Sequence, residues 1–192
     1  MIKSVCIFCG SSSSEEKKTS FNKEHGKIAK TIGKELAVRK IKIIYGGAKV
    51  GLMGLMADEA LKNKGEVIGI ALKSFKKWDI LHKTITKKYL VSTLQKRKEL
   101  MYKKSDAFIA LPGGIGTIDE VFEVIATNIL TKSNKLLILL NYKGFWGKLI
   151  DLLNTNIKQR YSKKKIKDNI RITTSVSKIF TILDNEKFRY YE

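Results

Sequence analysis

The chain has 192 residues, of which 43% are hydrophobic, and its 38 Lys and Arg against 18 Asp and Glu give a net charge of +20. These values indicate one globular domain over residues 1–192, and the lack of a bilayer-length apolar stretch or a signal-peptide pattern favours a cytoplasmic protein over a membrane protein. Because the basic residues are dispersed, with the densest run at 163–165, we attribute the charge to a solvated surface and expect neither nucleic acid nor a membrane as partner.

The first predicted strand, residues 2–9, contains both cysteines of the chain, Cys6 and Cys9. Two cysteines are too few for a disulfide framework, which favours a reducing compartment. Their CxxC spacing suggests a redox pair, but residues three apart on a strand face opposite sides of the sheet. We therefore interpret both thiols as structural.

A helix is predicted over residues 19–39 and a strand over residues 41–45. The strand runs into a turn at residues 46–54, which has four glycines in nine residues and leads into a helix that ends near residue 64. So many glycines directly after an apolar strand indicate close approach of the backbone to a ligand. The turn lacks the GxxxxGK[ST] order, and no GxGxxG follows the first strand, which argues against an NTPase and an NAD enzyme.

A strand at residues 66–71, a lysine-rich irregular segment at 72–83 and a weaker strand at 84–91 come next. We expect the irregular segment to form a loop over a site. The helix predicted at residues 94–101 carries Arg97. A lone arginine on a helix is usually solvated, but beside a phosphate-binding loop its guanidinium would suit a bidentate clamp.

The strand at residues 107–111 leads into a turn, residues 112–117, with three glycines and the only proline of the chain. Bare backbone N–H groups at such a turn, together with the dipole of the following helix, favour an anion. Thr117 can cap this helix, with Asp119 and Glu120 in its first turn. A phosphate cradle with a carboxylate beside it suits chemistry on a nucleotide.

Strands at residues 135–140 and 169–174 and helices at 146–157 and 176–183 complete the pattern. Strands that alternate with helices of this length predict βαβ units, and hence an α/β fold with a mostly parallel sheet flanked by helices. Ligands bind at the carboxyl ends of the strands in such sheets, so the three small-residue turns should converge on one site. From the first two turns this site would use Gly10, Ser11, Gly46 and Gly47.

The polar side chains suited to such a site are few. His25 and His82 have no ligand-type spacing, so we expect surface histidines and neither a bound metal nor a cofactor. Glu120 is either a partner of the helix dipole or a catalytic carboxylate. On sequence alone Asp119 competes for the catalytic role, and Glu123 lies one turn further along.

Three segments together resemble the Lonely Guy (LOG) family: YGGAKVGLMG at residues 45–54, the Arg97-Lys98 pair, and PGGIGTIDE at residues 112–120. Members of this family are phosphoribohydrolases that release cytokinin bases from their riboside 5′-monophosphates. The similarity extends from the first strand to about residue 150. It implies a Rossmann-like three-layer fold, a homodimer, no metal or cofactor, and a nucleoside monophosphate as substrate.

The resemblance also implies site roles. Arg97 and Glu120 would be catalytic, Glu120 stabilising a cationic sugar or activating water while Arg97 orients it and keeps it ionised. Lys98, next to the catalytic arginine, would help to bind nucleotide. The family's phosphate loop maps onto Gly113, Gly114, Gly116 and Thr117. Some proteins with this motif carry the label "lysine decarboxylase", but no pyridoxal-phosphate lysine motif is recognisable here.

The chain departs from the family pattern in three places. Lys96 lies where Glu or Gln is common, the region around Asp79 has no glutamate, and Ala126 lies where Thr is frequent. These differences leave open a relaxed purine-nucleotide nucleosidase as well as a dedicated cytokinin enzyme. A non-catalytic ligand carrier, such as the molybdenum-cofactor carrier of the same superfamily, is the alternative.

The apolar helix faces around Phe122, Trp146 and Leu149 have two interpretations. They belong either to the core or to the interface of the homodimer, and we favour the interface slightly.

Overall fold

A seven-stranded sheet forms the centre of the molecule, which a computed structural model describes for residues 2–10 and 20–186. Its strands follow the order β4-β3-β2-β1-β5-β6-β7, and all six strand pairs are parallel. The predicted α/β fold with a parallel sheet is therefore confirmed. The strands are β1 Ser4–Phe8, β2 Lys42–Tyr45, β3 Val67–Leu72, β4 Lys87–Val91, β5 Ala107–Ala110, β6 Leu136–Leu140 and β7 Ile170–Thr173.

Six α-helices connect or follow these strands. They are α1 Ser20–Val38, α2 Gly51–Lys62, α3 Leu94–Lys103, α4 Ile115–Leu130, α5 Gly147–Lys158 and α6 Val176–Asn185. Each corresponds to a predicted helix, and Thr93 caps α3 by accepting a hydrogen bond from the backbone N–H of Lys96 at 3.2 Å. The segment predicted as an irregular loop instead begins with a 3-10 helix, Lys73–Trp78.

Side chains that alternate in direction along the strands divide the core into two layers. Val5 and Ile7 of β1 face one side, where they pack with α1, α2 and α6, whereas Cys6 and Phe8 face the other, where they pack with α3, α4 and α5. Side chains alternate in direction along a strand, so a strand buried on both faces is apolar at every position. The result is the predicted three-layer arrangement, with Cys6 and Cys9 buried as free thiols on opposite faces.

The chain reverses its direction across the sheet between β1 and β5. From β1 it builds outward through β2 and β3 to β4, then returns by α3 to place β5 on the other side of β1. A crevice forms outside the carboxyl ends of the two strands where the order reverses, and this is the usual ligand site of open parallel sheets. Here those strand ends lead into Gly10 and into residues 111–114.

Two side-chain expectations were wrong. His25 and His82 are buried rather than on the surface, and the Nε2 of His82 lies 3.1 Å from Oδ1 of Asp58. Trp146 is also buried, and the half-buried Leu149 packs against the same core, so both belong to the core rather than to an interface. Only Phe122 of that predicted surface is exposed.

In the described part of the chain, no helix combines the length and the apolar character that crossing a bilayer requires.

Gly33 lets α1 and α2 pack closely. A Cβ added at Gly33 would lie 2.3 Å from the carbonyl oxygen of Met56, whereas one at Gly26 would meet only the Cδ1 atom of Leu55, at 3.1 Å. Replacing glycine by alanine in a helix normally stabilises it, but a clash with backbone reverses the sign. We expect Gly33→Ala to lower the free energy of unfolding by about 2 kcal/mol, as measured by urea denaturation.

Gly26→Ala on the same helix is the matched control. Since the end of the Leu55 side chain can move, this variant should be as stable as the parent protein or more stable by up to about 1 kcal/mol. If Gly33→Ala were equally well tolerated, the close approach of α1 to α2 would be refuted.

Candidate active site

The carboxyl-terminal turns of β1, β2 and β5 contact one another. The backbone N–H of Gly10 donates to the carbonyl of Pro112 at 3.4 Å, and the carbonyl of Gly10 accepts from the N–H of Leu52 at 3.2 Å. A Cβ at Gly113 would lie 2.2 Å from Oγ1 of Thr117 and 2.9 Å from the nitrogen of Gly10. The structure thus brings together the three turns that the sequence predicted to converge; Ser11 lies outside the described residues.

The helix after the third turn begins earlier than predicted. α4 starts at Ile115, with Gly114 as its extended N-terminal cap residue, so Thr117 lies inside the helix and Glu120 lies beyond its first turn. The first N–H groups of a helix have no carbonyl partner within it, so those of Ile115 and Gly116 can receive an anion. Within residues 2–10 and 20–186, apart from chain neighbours and the backbone of α4 itself, no heavy atom lies within 4 Å of where a Cβ would project from Gly114 or Gly116.

Arg97 extends from α3 to the centre of this edge. Its Nε donates to the carbonyl of Ile70 in β3 at 2.9 Å, and its Nη1 donates to Oε1 of Glu120 at 2.9 Å. The side chains of Arg97 and Glu120 are only 12% and 11% exposed. Gly46 makes room for the guanidinium, because a Cβ there would lie 2.4 Å from Nη2 of Arg97.

Burial alters the acidity of Glu120. Desolvation raises the pKa of its carboxyl above the ordinary glutamate value, and the charge and hydrogen bond of Arg97 oppose this effect without cancelling it. In its effect on the pKa of Glu120, the loss of hydration thus outweighs the attraction of Arg97, and the expectation that Arg97 keeps Glu120 ionised stays a prediction. Glu120 is a carboxyl group that holds a proton more tightly than one in water.

Lys98 and Asp119 form a second, more exposed pair. The Nζ of Lys98 lies 2.9 Å from Oδ1 of Asp119 and 3.0 Å from Oε2 of Glu123. Burial lowers the pKa of Lys98, but the hydrogen bonds to these two carboxylates outweigh it and raise the pKa above the ordinary lysine value. Asp119 is 55% exposed and does not pair with Arg97, so the structure separates its environment from that of Glu120.

The second turn is fastened to the segment after the 3-10 helix. The backbone N–H of His82 donates to the carbonyl of Gly47 at 2.9 Å, and that of Lys49 donates to the carbonyl of Ile80 at 2.8 Å. The Nζ of Lys49 also lies 2.9 Å from Oδ2 of Asp79, and this hydrogen bond holds the pKa of Asp79 below its usual value. Gly47 has a φ of +81°, which favours glycine.

A family model described as "Possible lysine decarboxylase" matches residues 53–183. A Rhodococcoides fascians protein named cytokinin riboside 5′-monophosphate phosphoribohydrolase is 38% identical over 152 residues, which cover 79% of this chain and 74% of that protein. An Arabidopsis thaliana protein with the same enzyme name is 36% identical over 159 residues, or 83% of this chain and 72% of that protein.

The chain belongs to the family that this model and these phosphoribohydrolases represent. The predicted resemblance to the LOG family is thereby confirmed. A relative from Oryza sativa subsp. japonica is 36% identical, and the chain covers 60% of its length.

Solved structures share the fold. An X-ray structure from a structural genomics consortium has a TM-score of 0.74 at 21% identity, with 95% of this chain and 99% of that chain covered. The molybdenum cofactor carrier protein of Chlamydomonas reinhardtii has a TM-score of 0.69 at 16% identity, with 95% and 96% covered. At these identities the likeness shows the Rossmann-like fold alone.

Sequence reasoning missed two features of this LOG-family site. The carbonyl of Ile70 anchors Arg97, and no sequence signal could have shown it because any residue supplies a backbone carbonyl. The neutralisation of Lys98 by Asp119 and Glu123 was also missed, although the spacing of four between these two acids places them on one helix face. Among residues 2–10 and 20–186, no group of three His, Cys, Asp or Glu side chains is arranged to hold a metal ion.

The buried Arg97–Glu120 pair predicts a pH-dependent loss of stability. Arg97→Gln leaves a buried carboxyl without its cation, which costs about 3–5 kcal/mol when that carboxyl is ionised. The pKa of Glu120 then rises further above its unfolded value, so the folded state holds a proton that the unfolded state releases, and stability falls as pH rises through that interval. Urea denaturation should show a larger loss at pH 8 than at pH 5.

Lys98→Gln is the control, because its carboxylate partners are partly hydrated. We expect it to cost about 1 kcal/mol or less, with little change between the two pH values. An Arg97→Gln loss that was the same at pH 5 and pH 8 would contradict the assignment of a raised pKa to Glu120.

Proposed function

We propose that this protein hydrolyses the N-glycosidic bond of a purine nucleoside 5′-monophosphate, of the cytokinin type or AMP-like, and releases the free base and ribose 5-phosphate. The observation that carries the proposal is the buried Arg97–Glu120 pair beside an open glycine-rich turn, at the edge where the strand order reverses. The enzyme names of the relatives that are 38% and 36% identical support the same reaction.

The 5′-phosphate is assigned to the turn before α4. Ile115 and Gly116 present backbone N–H groups at the positive end of the helix dipole, and no other described side chain or loop lies within 4 Å of where a Cβ would project from Gly114 or Gly116. The hydroxyl of Thr117, next to Gly113, would add a donor. A phosphate held here anchors the sugar and contributes binding energy far from the bond that breaks.

The reaction needs a group that handles developing positive charge on the ribose. Water adds to the anomeric carbon, the bond to the purine nitrogen breaks with its electron pair going to the base, and the base gains a proton. Glu120 is the residue we assign to this step, because its raised pKa suits a carboxyl that accepts a proton from the attacking water. Arg97 is assigned to orient Glu120 and to contact the ribose or phosphate.

Gly10, Gly46, Gly47 and Lys98 have supporting roles in this proposal. Gly46 makes room for the guanidinium, the backbone of Gly10 bonds to Pro112 and Leu52, and Gly47 positions the second turn. Lys98 is paired with two carboxylates, so it would affect the electrostatic potential of the site rather than contact the nucleotide directly. A Schiff-base role for Lys98, as a pyridoxal-phosphate decarboxylase would need, is disfavoured by its raised pKa.

The test is chromatography of the protein incubated with AMP or with isopentenyladenosine 5′-monophosphate. Free base and ribose 5-phosphate should appear, and the ratio of the two rates will separate a cytokinin enzyme from a general purine nucleosidase. Nucleotide that binds without any release of base would instead favour a ligand-carrying protein.

Glu120→Gln should abolish most turnover while preserving the affinity for ribose 5-phosphate. The amide keeps the shape and a hydrogen bond to Arg97 but cannot take a proton, so kcat should fall by roughly 10²–10⁴-fold. Base release and ribose 5-phosphate binding are measured on the same preparation.

Asp119→Asn is the matched control, since it removes the neighbouring carboxylate, which is half exposed and paired with Lys98. It should keep most of the parent kcat. Wild-type turnover by Glu120→Gln, or a larger loss in Asp119→Asn, would assign the chemistry to another residue.

We further propose a homodimer formed through the outer face of α4. Ile115, Phe122 and Ile129 are spaced by seven residues along this helix and are all exposed, which leaves an apolar stripe uncovered.

The two buried free thiols also fit a cytoplasmic location.

Phe122→Glu should convert this dimer to a monomer, because it places a charge at the centre of the stripe. Sedimentation velocity measures the change. Leu152→Glu, at an exposed apolar position on α5, should leave the dimer intact. A wild-type monomer, or dissociation by both variants, would refute the α4 interface.

A further inference from the structure

The fold concentrates positive charge at the edge of the sheet opposite the candidate active site. Because the sheet is parallel, α1 through α5 each end at this edge and lead into the amino end of a strand. We call the five helix-to-strand connections, each counted from the last helix residue to the first strand residue, the basal edge. They contain fifteen basic and three acidic residues: Arg39, Lys40, Lys42, Lys62, Lys64, Lys103, Lys104, Lys132, Lys135, Lys158, Arg160, Lys163, Lys164, Lys165 and Lys167, with Glu66, Asp106 and Asp168.

The opposite edge is less basic, although the connection from β3 to β4, which leaves from it, adds Lys73, Lys76, Lys77 and Lys83 with one acid, Asp79. Counted in the same way, the five described strand-to-helix connections, those before α2, α3, α4, α5 and α6, contain two basic residues, Lys49 and Lys143, and no acidic one. The asymmetry is invisible along the sequence, where the basal connections are separated by whole helices and strands. The dipole favours a cation at each helix end, but this effect does not account for the six basic residues at positions 158–167.

Residues 158–167 are the densest part of the basal edge. All six of their basic side chains are exposed, and none forms an ion pair with a carboxylate in the described part of the chain. Like charges held so close on a short connection repel one another. A polyanion would relieve this repulsion and would release the counterions that the cations attract.

An exposed aromatic ring lies within this basic stretch. Tyr161 is 78% exposed, between Arg160 and the lysines that follow. Lys104 of the basal edge also lies over the half-buried ring of Tyr89 in β4, at 4.5 Å from its centre. Unpaired nucleobases stack on exposed aromatic rings that lie among cations. An inorganic polyanion or a lipid headgroup has no aromatic base that could stack on such a ring.

We propose that the basal edge binds single-stranded nucleic acid, with residues 158–167 as the main contact and Tyr161 as a stacking platform. The phosphates pair with the exposed lysines, and a base lies on the phenol ring. This surface is separate from the candidate active site at the carboxyl ends of the strands, so binding there does not depend on the proposed hydrolysis.

The test measures the fluorescence anisotropy of a labelled 20-nucleotide oligo(U) at increasing KCl. The fourfold variant Lys163→Gln, Lys164→Gln, Lys165→Gln, Lys167→Gln should weaken binding at least tenfold at low salt. It should also reduce the slope of log affinity against log salt by roughly 3, at about 0.7 per lost phosphate contact. Tyr161→Ala should weaken binding by about fivefold or more, and Tyr161→Phe should restore it.

The matched control removes the same charge elsewhere. Lys23, Lys27, Lys30 and Lys34 are exposed on α1, and their fourfold replacement by Gln should change the affinity far less. Release of base from AMP should be unchanged in the 163–167 variant, and AMP should not compete with the oligonucleotide.

Four results would overturn the proposal. Equal losses in the two fourfold variants would show attraction by net charge alone. Equal binding of inorganic polyphosphate with no effect of Tyr161→Ala would show a general polyanion surface, and binding of anionic phosphatidylglycerol vesicles but not of oligo(U) would show a membrane surface. Competition by AMP would place the oligonucleotide in the candidate active site.

Discussion

The guanidinium of Arg97 joins parts of the molecule that lie far apart in the chain. Its Nε binds the carbonyl of Ile70 in β3 and its Nη1 binds Glu120 in α4, so one side chain spans the point where the strand order reverses. Both charges are almost fully buried, and either one alone would be strongly destabilising there. The glycines around the pair follow from this constraint, because the guanidinium occupies the space that a side chain at Gly46 would need.

Burial separates two neighbouring carboxylates by chemistry as well as by position. Glu120 faces the interior, where desolvation raises its pKa, whereas Asp119 faces outward and lies within an ion pair with Lys98. Successive residues of a helix point about 100° apart, so a difference of one position decides which acid meets Arg97. Enzymes commonly distinguish acid and base roles by giving similar carboxyl groups different surroundings.

The strand and helix order could be predicted because it depends on local patterns, apolar runs of strand length between amphipathic segments. The convergence of the turns could be predicted because a parallel sheet brings strand ends to one edge. The start of α4 was missed because Gly114 and Gly116 look like loop residues, although the helix already begins at Ile115. The burial of His82 was missed because it depends on a partner, Asp58, that lies 24 residues away.

The sequence alone could not show whether Asp119 or Glu120 is the carboxyl group that pairs with Arg97. It depends on the rotation of α4 about its axis relative to α3, and that rotation is fixed by the packing of Val121 and Val124 in the core. The rise in the pKa of Glu120 could not be predicted for a related reason. The sequence shows which charges can meet, but not how much water they lose when they do.

The anchoring of Arg97 by a backbone carbonyl makes its position insensitive to the identity of one partner. The backbone of any residue at position 70 that preserves β3 supplies the same acceptor, although the side chain there is fully buried and must still fit the core. Position 46 requires glycine, because even the Cβ of an alanine would clash with the guanidinium. At this edge of the sheet, a residue can therefore hold Arg97 in place through its backbone, as at position 70, or through the space that it leaves empty, as at position 46.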